Sequence, residues 1–179
     1  MKTIETERLI LRPFTETDLD DLYEYAQSPN VGPNAGWKPH ESPDESKAIL
    51  KDFMENDEVL AIVWKENNKV IGSIGLHNDV FRSIDNVKMM GYVLSEYYWG
   101  RGITTEAAKA VLKYAFTDLG LYMVTIRHYP FNIRSKRVIE KCGFAYEGTL
   151  RYCARIYNGN IYDVVCYSMT KEEWEKLYG

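Results

Sequence analysis

The segment Gly91–Ala107 reads GYVLSEYYWGRGITTEA and decides the fold of this 179-residue chain. It starts as a short apolar strand, passes through Gly100 and Gly102, and continues as a helix. The helix is predicted because apolar residues recur at helical spacing, at positions 107, 108, 111, 112, 115 and 116. Gly120 is expected to end it. A strand, a tight turn and a helix N-terminus therefore follow one another.

The turn at Gly100–Gly102 is typical of a phosphate site. The first turn of a helix carries unpaired N–H groups and partial positive charge, and a glycine has no Cβ to hold a phosphate away. Arg101 adds a permanent positive charge. The P-loop pattern is absent, and Thr105 stands where the dinucleotide fingerprint has its third glycine. The residues alone leave open a sharp turn or a diphosphate site of another kind.

Several segments in the same order resemble the GNAT superfamily of N-acetyltransferases. Tyr98–Ala107 is similar to its acyl-CoA diphosphate loop, although Trp99 and Thr104 depart from the usual pattern. Asn132–Ser135, followed by EKCGF at 140–144, resembles its next motif. TERLILRP at 6–13 and DVVCYSMTKEEW at 163–174 resemble the RimJ/RimL-like branch, which includes ribosomal-protein N-terminal acetyltransferases. The resemblance covers nearly the whole chain and implies an acetyl-CoA-dependent N-acetyltransferase.

The composition is that of an ordinary globular protein, with 45% hydrophobic and 27% charged residues. No apolar run approaches the roughly 18 residues that span a bilayer, and the N-terminus lacks a signal-peptide core, so we expect a cytoplasmic protein without a membrane partner. Cys142, Cys153 and Cys166 lack zinc-type spacing, so neither a metal site nor a disulfide framework is expected. The net charge of −4 argues against a nucleic-acid partner.

The fold class predicted is α/β, as a mixed α+β domain with a GNAT-like fold: a central, mostly antiparallel mixed sheet flanked by helices. One domain over residues 1–179 is expected. Strands are predicted at 6–12, 59–64, 70–76, 87–94, 122–129, 144–156 and 161–169, and helices at 14–27, 43–55, 103–119 and 133–141. Ser42–Glu45 has the pattern of a capping box. The acids Asp18, Asp20 and Asp21 are expected to be solvated at a helix start.

The resemblance implies where acetyl-CoA binds. Its diphosphate would accept hydrogen bonds from the backbone N–H groups of the turn, and its pantetheine arm would pair with the backbone of β-strand residues 93 and 94. Asn132 and Ser135 would contact the arm from its other side, although Asn132 also suits a helix N-cap. The implied cofactor-binding residues are Val93, Leu94, Gly100, Arg101, Gly102, Ile103, Thr104, Thr105, Asn132 and Ser135.

The implied chemistry is direct attack of a neutral amine on the thioester, without a covalent enzyme intermediate. A base must take the proton of the amine, and an acid can protonate the departing thiolate. Many relatives carry a Tyr acid and a Glu base at positions that here hold Ile139 and Met89. Ser135 is the nearest acid and His128 the base nearest the expected cleft, with His77, Tyr129, Glu96 and Asp79 as open alternatives.

The segment Ser28–Glu41 is predicted as a loop because it is rich in glycine and proline. In GNAT proteins this region forms one wall of the acceptor site, which implies that Asn34, Trp37 and His40 lie near the substrate. Trp37 suits a plug at the core edge equally well. The branch favours a protein N-terminal amine as acceptor. A small amine (a polyamine, amino acid or aminoglycoside) is the alternative, and a non-catalytic CoA-binding module, motivated by Met89 and Ile139, is the third interpretation. A homodimer is compatible with the family.

Overall fold

A computed structural model describes residues 1–179. The strands are β1 Ile4–Glu5, β2 Leu9–Pro13, β3 Val59–Trp64, β4 Lys69–Asn78, β5 Val87–Leu94, β6 Met123–His128, β7 Ala145–Arg155 and β8 Ile161–Thr170. The helices are α1 Leu19–Ala26, α2 Gly32–Ala35, α3 Pro43–Asn56, α4 Ile103–Thr117, α5 Ile133–Lys141 and α6 Lys171–Tyr178. Single turns of 3-10 helix lie at Glu16–Asp18 and Glu96–Tyr98.

The strands form one eight-stranded sheet in the order β1-β2-β3-β4-β5-β6-β8-β7. The pairs β1/β2, β2/β3, β3/β4, β6/β8 and β7/β8 are antiparallel. β5 and β6 are parallel, with Val87–Met90 opposite Met123–Ile126. Helix α4 connects these two strands, as a parallel pair requires a crossover connection. The predicted fold class, a mostly antiparallel mixed sheet with helices, is confirmed.

The chain divides into two compact units. The first comprises Met1–Gly75 and Tyr92–Ala107, and the second comprises Leu76–Gly91 and Ala108–Gly179. The Gly100–Gly102 turn belongs to the first unit, whereas the segment 128–135 belongs to the second. The single domain over residues 1–179 stays a prediction.

The core of the first unit is built from helices α1 and α3 and strands β3 and β4. Its buried members are Phe14, Leu22, Tyr25, Ala26, Val31, Leu50, Val59, Ala61, Val63 and Val70. Trp37, Val93 and Trp99 pack against this cluster from its edge. In the second unit Phe116 of α4 packs against Trp174 of α6, with ring centroids 5.7 Å apart. The apolar positions predicted for α4 are all fully buried, which confirms the helical periodicity.

The N-terminal elements differ from the prediction. The strand expected at 6–12 begins only at Leu9, because residues 6–8 form the turn between β1 and β2, in which the Thr6 N–H donates to the Leu9 carbonyl at 3.0 Å. The helix expected from residue 14 starts at Leu19, after the 3-10 turn. Ser42 caps α3 as predicted, accepting from the Glu45 N–H at 3.4 Å. The Glu45 carboxylate, however, accepts from the Glu41 N–H, one residue before the cap.

Two helices were not predicted. Within the expected loop 28–41, α2 forms a single turn in which Pro33 is tolerated because its missing N–H would have no intrahelical acceptor there. Helix α6 begins at a reciprocal capping box, in which Thr170 and Glu173 each accept from the backbone N–H of the other. The signal Thr-x-x-Glu was present in the sequence. The capping box satisfies N–H groups at the start of α6 and thereby stabilises the helix directly after β8.

The sequence suggested that the acids at the start of α1 are all solvated, but one of them, Asp18, is buried. Asp18 is only 4% exposed and receives both Nη1 and Nη2 of Arg12, at 2.7 and 2.8 Å, and the Thr15 N–H at 2.8 Å. Burial opposes ionisation of Asp18, but the hydrogen bonds from Arg12 and Thr15 outweigh it, and its pKa lies below the ordinary value. The expectation failed because Asp18 has a bidentate partner on β2.

We expect Asp18→Asn to destabilise the chain by about 2 kcal/mol near pH 7, because it leaves a partly exposed arginine without its partner. Since folding lowers the pKa of Asp18, its stabilisation is present above the unfolded pKa of about 3.9 and is lost as the pH falls through the folded value. Urea unfolding at several pH values should therefore show that the difference in free energy of unfolding between Asp18→Asn and the parent becomes smaller in acid. The exposed neighbour Asp20→Asn is the control. A pH-independent loss in Asp18→Asn would contradict the ion-pair account.

Candidate functional site

The Gly100–Gly102 turn has the backbone that only glycine adopts readily. Gly100 has φ +77° and Gly102 has φ +75°. A Cβ on Gly100 would meet nothing within 4 Å, and one on Gly102 would meet only Arg8 Nη2, at 3.8 Å. The glycines are thus required by the turn itself, and the space beside both is open and solvent-exposed. This open backbone, directly before the first turn of α4, fits a diphosphate.

The turn is anchored on its N-terminal side by Trp99. Its indole N–H donates to the Leu94 carbonyl at 2.8 Å, and its ring packs on the core of the first unit. The neighbouring Tyr98 ring lies 5.9 Å from Trp64, and the Arg101 guanidinium lies 5.4 Å from the Tyr98 ring. Trp99, one of the departures from the family pattern, therefore has a structural reason.

The turn is anchored on its C-terminal side by Glu106. Its carboxylate accepts from the Thr6 hydroxyl at 2.6 Å, from the Arg8 N–H at 3.0 Å and from Arg8 Nε at 2.7 Å. Arg8 Nη1 donates to the Arg101 carbonyl at 3.0 Å. Burial opposes ionisation of Glu106, but the hydrogen bonds from Thr6 and Arg8 outweigh it, so its pKa lies below the ordinary value. The sequence alone did not indicate this set of hydrogen bonds among Thr6, Arg8 and Glu106.

Glu96 joins the 3-10 turn after β5 to the segment that follows α1. Its carboxylate accepts from the Ser28 hydroxyl at 2.6 Å and from the Asn30 amide at 2.7 Å. These hydrogen bonds lower the pKa of Glu96 against a smaller opposing effect of burial. A carboxylate with a lowered pKa is a weak base, which argues against Glu96 among the alternatives for the catalytic base.

The expected acceptor residues take part in packing of the segment that contains α2. The Asn34 amide donates to the Asn30 carbonyl at 2.7 Å. His40 Nδ1 lies 2.7 Å from the Ser46 hydroxyl, its ring centroid lies 5.3 Å from that of Trp37, and burial lowers its pKa. Trp37 is half-buried against the core, which supports the core-edge interpretation. Contact of these residues with an acceptor stays a prediction.

In the second unit, Asn132 and Ser135 are joined at the start of α5. The Asn132 side chain accepts from the Ser135 N–H at 3.0 Å, which confirms the N-cap role. Ser135 is 8% exposed and lies one turn before the fully buried Ile139. Ile139 therefore fills the core at the position where the resemblance to the family implied a Tyr acid. The contacts of Asn132 and Ser135 with a cofactor stay predictions.

His128 ends β6 with its ring almost wholly buried, 5.7 Å from the Tyr167 ring. Nδ1 lies 2.8 Å from the Tyr129 carbonyl. Because a carbonyl oxygen only accepts, Nδ1 carries the proton and Nε2 is the acceptor nitrogen. Nε2 is buried and has no hydrogen-bond partner within the chain. A buried polar atom without a partner is rare and costly. Because Nδ1 already carries a proton, Nε2 is the nitrogen at which His128 would take one.

Among the remaining candidates for the base, Asp79 has structural contacts, and His77 stays a candidate. Asp79 is 6% exposed and accepts from Thr125 Oγ1 and Arg82 Nη1, both at 2.8 Å, and from the Phe81 N–H at 2.9 Å. Burial opposes its ionisation, but these contacts outweigh it and lower its pKa. Burial raises the pKa of Tyr129. Asp79 is therefore a weak base that ties the β4–β5 connection to β6.

Residues 8–145 match the family described as acetyltransferase (GNAT) domain. The chain is 30% identical to "Uncharacterized N-acetyltransferase p20" of Bacillus licheniformis, over 97% of this chain and 99% of that protein. It is 35% identical to "Putative ribosomal N-acetyltransferase YdaF" of Bacillus subtilis (strain 168), over 61% of this chain and 58% of that protein. A GNAT acetyltransferase structure from Bacillus anthracis superposes with a TM-score of 0.87 at 25% identity, over 96% of this chain and 100% of that one.

The chain therefore belongs to the GNAT acetyltransferase family and is an N-acetyltransferase. Enzymes of this family use acetyl-CoA. No group of three or more His, Cys, Asp or Glu side chains is arranged to hold a metal ion. None of the helices is both long and apolar enough to cross a membrane.

Proposed function

We propose that this chain transfers the acetyl group of acetyl-CoA to a primary amine, and that the amine is a protein N-terminal α-amine of the ribosomal-protein type. The observation that carries the cofactor assignment is the open turn at Gly100 and Gly102, whose positive φ angles expose backbone before helix α4. The acceptor assignment is supported by the RimJ/RimL-like segments of the sequence and by the name of YdaF, a relative at 35% identity.

The residues of the first unit bind and orient the cofactor. Backbone N–H groups from Gly100 to Thr105 donate to the diphosphate, where the positive end of the α4 dipole adds to the attraction. The Arg101 side chain supplies a second positive charge. Val93 and Leu94 pair with the pantetheine arm through their backbone, as an added strand would. Bound in this way, acetyl-CoA supplies an activated thioester.

His128 and Ser135 are the proposed proton carriers. His128 takes the proton of the acceptor amine at Nε2, directly or through water, because Nδ1 already donates to the Tyr129 carbonyl. The Ser135 hydroxyl passes a proton to the departing thiolate while it takes one from water, so that the serine is restored. The amine attacks the thioester directly, so no enzyme nucleophile is needed, and holding both substrates in place supplies much of the acceleration.

Ser135→Ala should lower the turnover number about tenfold or more while changing the affinity for acetyl-CoA less than about threefold, because the hydroxyl matters most when the thiolate leaves. Steady-state kinetics and calorimetry measure the two quantities. Ser168→Ala removes another buried hydroxyl, 6% exposed on β8, and controls for the cost of the deletion itself. Equal losses of turnover and affinity in Ser135→Ala would make Ser135 a binding residue only.

The acceptor is tested by the release of free CoA thiol from acetyl-CoA. Purified protein is given a pool of peptides with free N-termini and, separately, a pool of polyamines, amino acids and aminoglycosides. The proposal expects release with the peptide pool. Release with the small amines alone would keep the acetyltransferase but replace the acceptor. If neither pool causes release of free CoA thiol although acetyl-CoA binds, the result would favour the non-catalytic module.

The cytoplasmic location and the homodimer stay predictions.

A further inference from the structure

Glu106 places a negative charge close to the turn that is proposed to bind the diphosphate. It lies in the first turn of α4, and its backbone N–H is bonded to the Gly102 carbonyl at 3.0 Å. A carboxylate so close to the proposed diphosphate repels it, and the repulsion of two charges a few ångströms apart is appreciable in a half-buried setting. The chain therefore needs to cancel this charge if the turn is to bind an anion.

Arg8 is placed to cancel it. Its Nη2 lies 2.7 Å from Glu106 Oε2 and its Nε donates to the same oxygen, so two N–H groups face the carboxylate. The guanidinium also lies 5.7 Å from the Trp64 ring, which restricts its orientation. The third nitrogen, Nη1, donates to the Arg101 carbonyl. One side chain thus neutralises Glu106 and fixes a carbonyl of the turn.

We propose that Arg8 is a positioning residue for acetyl-CoA. It cancels the charge of Glu106 and turns the Arg101 carbonyl toward itself, so that the N–H groups of the turn are directed to the diphosphate. This assignment rests on the proposed function, which places the diphosphate at the turn. The alternative is a purely structural role, in which Arg8 and Glu106 only tie the β1–β2 turn to α4 and their charges have no effect on cofactor binding.

Two variants separate these accounts. Arg8→Met leaves Glu106 as an uncompensated anion and should raise the acetyl-CoA dissociation constant roughly tenfold at low salt. Adding Glu106→Gln removes that anion as well, and the double variant should recover to within about threefold of the parent. The deficit of Arg8→Met should also shrink as salt screens the repulsion. Calorimetry measures the affinities, and thermal unfolding without ligand reports the structural cost of each variant.

The outcomes distinguish this assignment from the function on which it rests. A parent chain that fails to bind acetyl-CoA overturns the proposed function and the assignment together. A parent that binds, with Arg8→Met binding equally well, overturns the assignment alone. So does a double variant that binds more weakly than Arg8→Met, because a structural tie loses more when both members are removed. Recovery in the double variant, with a salt-sensitive deficit in the single one, supports charge cancellation.

Discussion

Gly102→Val should weaken acetyl-CoA binding about a hundredfold while leaving the chain folded. The substitution places a branched side chain in the open space beside the turn, where only Arg8 Nη2 now approaches a Cβ position. That space is where the diphosphate is expected to meet the backbone, so the side chain keeps it out of hydrogen-bond reach. The positive φ of Gly102 adds a backbone cost of about 1–2 kcal/mol in stability.

Gly120→Val controls for that backbone cost. Gly120 follows the other end of α4, has φ +63°, and would carry a Cβ that meets nothing within 4 Å. Both variants should therefore lose similar stability in thermal unfolding, while only Gly102→Val loses affinity in calorimetric titration with acetyl-CoA. Unchanged affinity in Gly102→Val, or an equal loss in Gly120→Val, would contradict the assignment of the turn.

Gly72→Ala should lower the free energy of unfolding by about 3 kcal/mol and also weaken acetyl-CoA binding, because a Cβ forces backbone apart in a packed interior. A Cβ on Gly72 would lie 2.3 Å from the Val93 carbonyl oxygen and 3.0 Å from Leu94 Cα. The obstacle is backbone, which cannot swing aside as a side chain can. Strand β5 must then move at Val93 and Leu94, the residues proposed to pair with the pantetheine arm.

Gly91→Ala is the matched control on β5 itself. A Cβ there would lie 3.6 Å from the His77 ring, an ordinary contact distance. Urea unfolding should show this variant within about 1 kcal/mol of the parent, because the substitution needs no backbone movement. If Gly72→Ala were as stable as Gly91→Ala, the close approach of Gly72 to Val93 would not be a constraint of the fold.

Local patterns predicted the elements that depend on neighbouring residues. Helix α4 followed from its apolar periodicity, and the turn before it followed from the two glycines, whose positive φ angles the structure shows. Asn132 was recognised as an N-cap from its residue type alone. Helix α6 was not predicted because its short apolar face gives little periodicity. The capping-box pattern of Thr170 and Glu173 was nevertheless present in the sequence.

Contacts between distant parts of the chain left no local signal. Arg8 and Glu106 are 98 residues apart, and Ser28 and Glu96 are 68 apart, so no spacing rule connects them. Asp18 was taken for a solvated acid for a different reason: its partner Arg12 is near in sequence but lies on β2, and no helical spacing rule connects a strand residue with a helix start. The tautomer of His128 likewise depends on where the Tyr129 carbonyl points. The roles of His128 and Ser135 stay predictions.

A crystal structure with bound acetyl-CoA would show whether the turn at Gly100–Gly102 holds the diphosphate. We expect diphosphate oxygens about 3 Å from backbone nitrogens between Gly100 and Thr105, the distance of a hydrogen bond. We also expect the contacts of Arg8 with Glu106 and the Arg101 carbonyl to persist in the complex. A diphosphate bound elsewhere, with this turn left to solvent, would show that the turn is not the cofactor site.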